Sequence, residues 1–153
     1  MAGEAEQAPG VQGQLNLPCA CSRLRKAARA TTRLYDDALR PVGLRITQFN
    51  VLSSLAYHGP VTLTRLADDL VLERTTLARD LKPLERDGLI TVGVGQDRRS
   101  RVVTLTDRGR ALLDRAAPLW QAVQHQLALS LGEERLSDLL QELREVVSVT
   151  RRQ

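Results

Sequence analysis

Apolar positions recur at helical spacing along most of the chain. Leu24, Ala27, Ala28, Thr31, Leu34, Tyr35, Ala38 and Leu39 step by three or four, which predicts a helix over roughly 17–40. Pro41 and Gly43 close it. Thr47 is placed to cap a second helix through Phe49, Val51, Leu52, Leu55 and Ala56, which Gly59 and Pro60 stop. Thr62 or Thr64 caps a third, Leu63 to Leu70. After a tight connection at Val71-Leu72, a fourth helix starts near Glu73 or Arg74 and reaches Asp87-Gly88. Pro83 inside it removes one backbone donor and is expected to bend or loosen that turn.

The pattern then changes. Leu89–Val94 and Arg101–Leu105 are short β-rich runs joined by the polar stretch 95–100, which predicts two strands and a turn. Thr106 caps a long fifth helix with Leu112, Ala116, Leu119, Val123 and Leu127 on one face, where Pro118 is expected to introduce a kink. Gly132 breaks the chain, and Leu136, Leu139, Leu140, Leu143, Val146 and Val147 predict a sixth helix. The order is α-α-α-α-β-β-α-α, a mainly α (α+β) chain. Residues 1–16, with Gly3, Pro9, Gly10 and Gly13 and no periodicity, are expected to form a disordered tail. The apolar stripes of the first and last helices would find little to cover them in a lone chain. Buried apolar area contributes ~25 cal/mol per Å², so pairing with a second copy is the expected solution.

Composition narrows the classes. The chain has 153 residues, the length of one ordinary domain, and 42% hydrophobic residues, enough for a packed core. Only 3% are aromatic, which argues against ring cages and RNA-stacking platforms. No apolar run approaches the ~20 residues of a membrane span, and no basic-then-apolar leader opens the chain, so a cytoplasmic location without membrane contact is expected. The net charge of +4 permits nucleic-acid binding, and its placement says more. From Arg74 to Arg110 there are nine basic residues and five acidic ones.

The segment Leu63 to Leu89 reads as two helices joined by a turn of about three residues, a helix-turn-helix. On the second helix Leu77, Leu81 and Leu84 share one face, while Thr75, Arg79, Lys82 and Arg86 share the other. A leucine stripe backed by hydroxyls and cations suits a helix lying in a major groove. Arginine can fork onto guanine, threonine can touch a thymine methyl or a phosphate, and the helix N-terminus favours phosphate. By itself this pattern fits an ordinary amphipathic surface helix as well. The hairpin that follows carries Arg98, Arg99 and Arg101 at or beside its tip, and a narrow minor groove attracts an arginine held on such a projection. The two features together favour duplex DNA.

These stretches resemble the MarR family of winged-helix regulators over roughly residues 20–150. The resemblance rests on Leu63-Thr64-Arg65-Leu66-Ala67, on Arg74 through Leu81 (RTTLARDL), on Pro83 through Leu89 (PLERDGL), and on Asp97-Arg98-Arg99 followed by Val102-Val103-Thr104-Leu105-Thr106 and Gly109. It implies a homodimer built from the terminal helices, 17–46 and 107–153, around a winged helix-turn-helix DNA-binding domain at 47–106. It implies recognition helices in successive major grooves of a pseudo-palindrome, with Arg74, Thr75, Thr76, Arg79 and Lys82 at the DNA. It further implies that Arg99 is the minor-groove arginine, oriented by a salt bridge to Asp97. Two positions depart from the family pattern. Val71 stands where glycine is usual, so a different turn geometry is expected, and Glu73 stands where a better helix cap is usual.

The signal sensed is less legible. Cys19 and Cys21 at the start of the first helix read as small interface residues, as an oxidation sensor, or as a soft-metal pair. Positions two apart on a helix point in different directions, so a bridge to the other subunit or a sulfenic acid is easier than an internal disulfide. The resemblance implies a small aromatic or anionic effector, and Tyr35, Phe49, Tyr57 and Trp120 are the rings available to line its pocket. No nucleophile with a paired base, metal-spaced ligand set or glycine-rich phosphate loop is present, so neither an enzyme nor a cofactor or metal is expected. The expected function is a DNA-binding regulator, a repressor released by effector or oxidation. The alternative is a winged-helix protein-interaction module, against which Arg79, Lys82 and Arg86 argue.

Overall fold

In a computed structural model of the chain, residues 19–97 and 99–151 are described. The expected tail at 1–16 and Arg98 lie outside them. Contacts divide the chain into two compact units, Met1–Arg33 and Leu34–Gln153. Helix α1, Ala20–Leu39, begins in the first unit, where every described residue is exposed, and ends in the second, where Tyr35 and Leu39 are buried.

The second unit holds α2 (Ile46–His58), α3 (Leu63–Asp69), α4 (Arg74–Arg86), α5 (Asp107–Leu131) and α6 (Glu133–Arg151). With them go strands β1 (Val61–Thr62), β2 (Ile90–Val94) and β3 (Arg101–Leu105), in the antiparallel order β1-β3-β2. Leu52, Leu55, Leu66, Leu77, Leu84, Ile90 and Val103 are almost wholly buried and form one core with Leu39. α2 packs on α5, α3 on α4, and α4 on β2. None of the helices among the described residues is long and apolar enough to cross a membrane.

The predicted caps form at two ends. Thr62 Oγ1 accepts the Arg65 N–H at 3.2 Å, and Thr106 Oγ1 accepts that of Gly109 at 3.0 Å. At α2 the expectation fails. Thr47 lies inside the helix, the Arg45 N–H donates to Gln48 Oε1 at 3.0 Å, and the Ile46 N–H donates to Asp36 Oδ1 at 2.7 Å. Pro41 lies in the middle of a short 3-10 turn, Arg40–Val42, that follows α1 directly. Strand β1 is an addition: Val61 pairs with Val103 and Thr62 with Val102. Helices α4 and α5 run on through Pro83 and Pro118.

α4 and α5 are locked together at their ends. The Leu89 N–H donates to Leu84 O at 2.9 Å, closing α4. Thr106 donates twice to the same corner, Oγ1 to Gly88 O at 2.7 Å and N–H to Leu89 O at 3.1 Å. Gly109 lies so close that a Cβ there would sit 2.1 Å from Leu89 O. Only glycine lets the backbones meet at that distance.

Candidate nucleic-acid interface

Leu77, Leu81 and Leu84 are buried, so α4 turns its leucine stripe inward and Thr75, Arg79, Lys82 and Arg86 outward. Arg74 is exposed at its first position, while Thr76 is half-buried. Glu73 is extended before the helix and makes no side-chain cap bond. The first-turn N–H donors therefore stay open, with the partial positive charge of a helix N-terminus behind them.

Two of the cations have carboxylate neighbours. Arg79 Nε is 3.5 Å from Asp80 Oδ1, and Arg86 Nε donates to Asp87 Oδ1 at 3.0 Å. That hydrogen bond, with the charge of Asp87, raises the Arg86 guanidinium above its ordinary pKa. Arg74, Lys82, Arg99 and Arg101 have no carboxylate within 4.0 Å among the described residues. Exposed pairs are worth about 0–1 kcal/mol, so Arg79 exchanges Asp80 for another acceptor at little cost.

The turn at the joint of α3 and α4 is held at Val71, whose φ is +55°. This is the left-handed region that favours glycine, so the turn keeps a glycine-like conformation at a β-branched residue.

β2 and β3 form the projecting hairpin, in register from Ile90 opposite Leu105 to Val94 opposite Arg101. At its tip the Gly95 N–H donates to Ser100 O at 3.0 Å and the Ser100 N–H to Asp97 O at 2.8 Å. A Cβ on Gly95 would fall 2.2 Å from Ser100 Oγ and 3.1 Å from Val102 Cγ2, so a larger residue there would have to turn the Ser100 hydroxyl aside. Asp97 does not form the expected salt bridge to Arg99. Its Oδ1 accepts the Arg99 backbone N–H at 3.1 Å, because in a turn this short the amide lies nearer than the guanidinium. Arg99 and Arg101 are exposed.

A helix-turn-helix and a basic hairpin thus stand on one compact unit. The sequence profile of the MarR family matches residues 44–100. The M. tuberculosis transcriptional regulator MosR, solved in complex with DNA, is 38% identical, with a TM-score of 0.81 over 88% of this chain and 97% of that one. The chain belongs to the MarR family. The transcriptional repressor CouR, solved on a 23-mer DNA duplex, is similar to this MarR-family chain at 28% identity and a TM-score of 0.77, covering 93% and 99% of the two chains. The organic hydroperoxide resistance transcriptional regulator of Bacillus subtilis is 30% identical over 65% of this chain and 68% of its own length. This MarR-family chain is therefore a transcription regulator with a winged-helix fold.

Two further features lie apart from α4 and the hairpin. Phe49 on α2 and Trp120 on α5 stack at 5.7 Å between ring centroids, 19° from parallel. They line a cleft of about 520 Å³ with Tyr57, which is 85% exposed, and Asp114, its charged member. Tyr35, expected with these rings, is not part of it. It is buried in the core, and burial raises its hydroxyl pKa. Asn50, Ser53 and Asp114 were not among the expected pocket residues. Ser53 and Tyr57 follow Phe49 at steps of four, a local signal, but the pairing of α2 with α5 spans too much sequence for periodicity to reveal. Cys19, just before α1, and Cys21, in its first turn, are exposed free thiols, and Cys19 O accepts the Arg23 N–H at 3.1 Å.

Proposed function

We propose that this regulator binds a pseudo-palindromic operator in duplex DNA as a homodimer and represses transcription by occluding a promoter in the cytoplasm. The observation that carries this reading is the pairing of α4, leucines in and cations out, with a hairpin whose Arg99 and Arg101 are free of carboxylates among the described residues. Arg74, Thr75, Thr76, Arg79 and Lys82 face the major groove, and the hairpin arginines enter the flanking minor groove. The relatives support this reading: MosR is described in complex with DNA, and CouR as a repressor bound to a duplex.

Dimerisation is supported by what a single chain leaves uncovered. α6 has no buried residue, and Leu139, Leu140, Val146, Val147 and Val149 are exposed along it. A second copy covers such a face, and at ~25 cal/mol per Å² its burial favours association. Sedimentation together with genomic footprinting tests both parts: the expected outcome is a dimer protecting short inverted repeats.

Release has two supported routes. The Phe49–Trp120 cleft offers stacking for a planar effector. The exposed thiols of Cys19 and Cys21, with a relative named for organic hydroperoxide resistance, support release by oxidation. A thiolate attacks the peroxide oxygen and becomes a sulfenic acid as an alcohol leaves. A second thiol then forms the disulfide and releases water. DNA binding measured with and without cumene hydroperoxide, in the wild type and in Cys19→Ser and Cys21→Ser, separates the two routes.

A further inference from the structure

Glu73 immediately precedes α4, in extended backbone, and is exposed. Its side chain makes no cap bond to the first turn and no ion pair within 4.0 Å among the described residues. The methylene that separates glutamate from aspartate carries the carboxylate past the amides that a shorter cap reaches.

The aspartates along the same surface differ from it. Asp80 Oδ1 lies 3.5 Å from Arg79 Nε, and Asp87 Oδ1 accepts from Arg86 Nε at 3.0 Å. Asp97 Oδ1 accepts the Arg99 N–H at 3.1 Å. Each is taken up within the protein. Glu73 instead leaves an unpaired carboxylate at the tip of a helix whose outward face is cationic.

A free carboxylate on a DNA-binding surface repels phosphate, and so weakens binding to every sequence. It weakens it least where a base offers a donor. In the major groove the donors are cytosine N4 and adenine N6, and adenine sets its N7 acceptor beside the amino group. Cytosine presents the amino group alone, so a carboxylate discriminates in its favour. In a helix-turn-helix the N-terminal residues of the second helix are those that reach base edges. We infer that Glu73 is a specificity-determining residue, its carboxylate accepting from the amino group of a cytosine in each half-site. This rests on the reading of α4 as the helix in the major groove. Glu73 also complements the helix dipole, a role blind to base identity, and the two roles separate by experiment.

The test selects binding sites from a randomised duplex pool with the full-length wild type, Glu73→Gln and Glu73→Ser, and records the melting temperature of each protein. The wild type is expected to enrich one C·G pair in each half-site by about tenfold, the scale of one good base contact. Glutamine pairs with adenine N6 and N7, so Glu73→Gln should move that position to A·T. Serine caps a helix better than glutamate, so Glu73→Ser should hold or raise the melting temperature while flattening the preference. A site profile unchanged in both variants, a responding position that is not C·G in the wild type, or a uniform loss of affinity that follows the melting temperature would each overturn the proposal and leave the operator-binding reading standing. A wild type that enriches no sequence would overturn both.

Discussion

Asp97 holds Arg99 by its backbone: the carboxylate oxygen accepts the Arg99 amide at 3.1 Å. The same residue's carbonyl accepts both the N–H and the Oγ–H of Ser100, at 2.8 and 2.7 Å. The aspartate therefore shapes the hairpin tip as a hydrogen-bond acceptor. Asp97→Asn keeps an acceptor oxygen and should hold DNA affinity within about twofold, whereas Asp97→Ala should lose about 1 kcal/mol. Fluorescence anisotropy on one duplex decides between acceptor and charge. If the asparagine variant falls as far as the alanine one, charge is the operative property.

Val71 carries strain that a different residue would relieve. A β-branched side chain at φ +55° costs about 1–2 kcal/mol, and Val71 is 56% exposed, so it recovers little by packing. Val71→Asn should stabilise the fold by ~1 kcal/mol, raising the melting temperature by about 2–4 °C. Val71→Gly should gain less, because the unfolded glycine chain is freer by ~0.5–1 kcal/mol. Urea unfolding of both variants checks the order. A loss of stability in both would mean that the valine packing outweighs the backbone cost.

The corner between α4 and α5 tolerates no added atom. Gly109→Ala would place its Cβ 2.1 Å from Leu89 O, backbone that cannot swing aside, and 2.7 Å from the side-chain atom Leu105 Cδ1. A destabilisation of about 3 kcal/mol or more is expected, at the upper end for overpacking. Thermal melting measures it, and a change below about 1 kcal/mol would show that the corner can open.

Much of this was legible because the signals are local. The leucine triplet Leu77, Leu81 and Leu84, the caps at Thr62 and Thr106, and the stop at Gly59-Pro60 each depend on residues within a turn or two. What was missed depends on distant partners. Strand β1 is two residues long and exists through pairing with Val102 and Val103, some forty positions on. The first amide of α2 is satisfied by Asp36, ten residues upstream, which no capping rule anticipates. Tyr35 shares its helix's apolar stripe with residues that fill the core, and only the packing of that core separates it from the rings of the cleft. The cleft arises where α5 returns against α2, so its members are scattered through the sequence.

The most direct test of the DNA-binding account is the affinity of the purified protein for duplex DNA as salt is raised from about 50 to 200 mM, with Arg79→Ala and Arg99→Ala beside the wild type. Log affinity should fall linearly with log salt. Arg99→Ala should reduce the slope by about one and weaken all sequences, and Arg79→Ala should cost about 1–3 kcal/mol and relax base preference. A wild-type protein with no measurable duplex affinity at 50 mM, or an affinity indifferent to salt and to both substitutions, would contradict it.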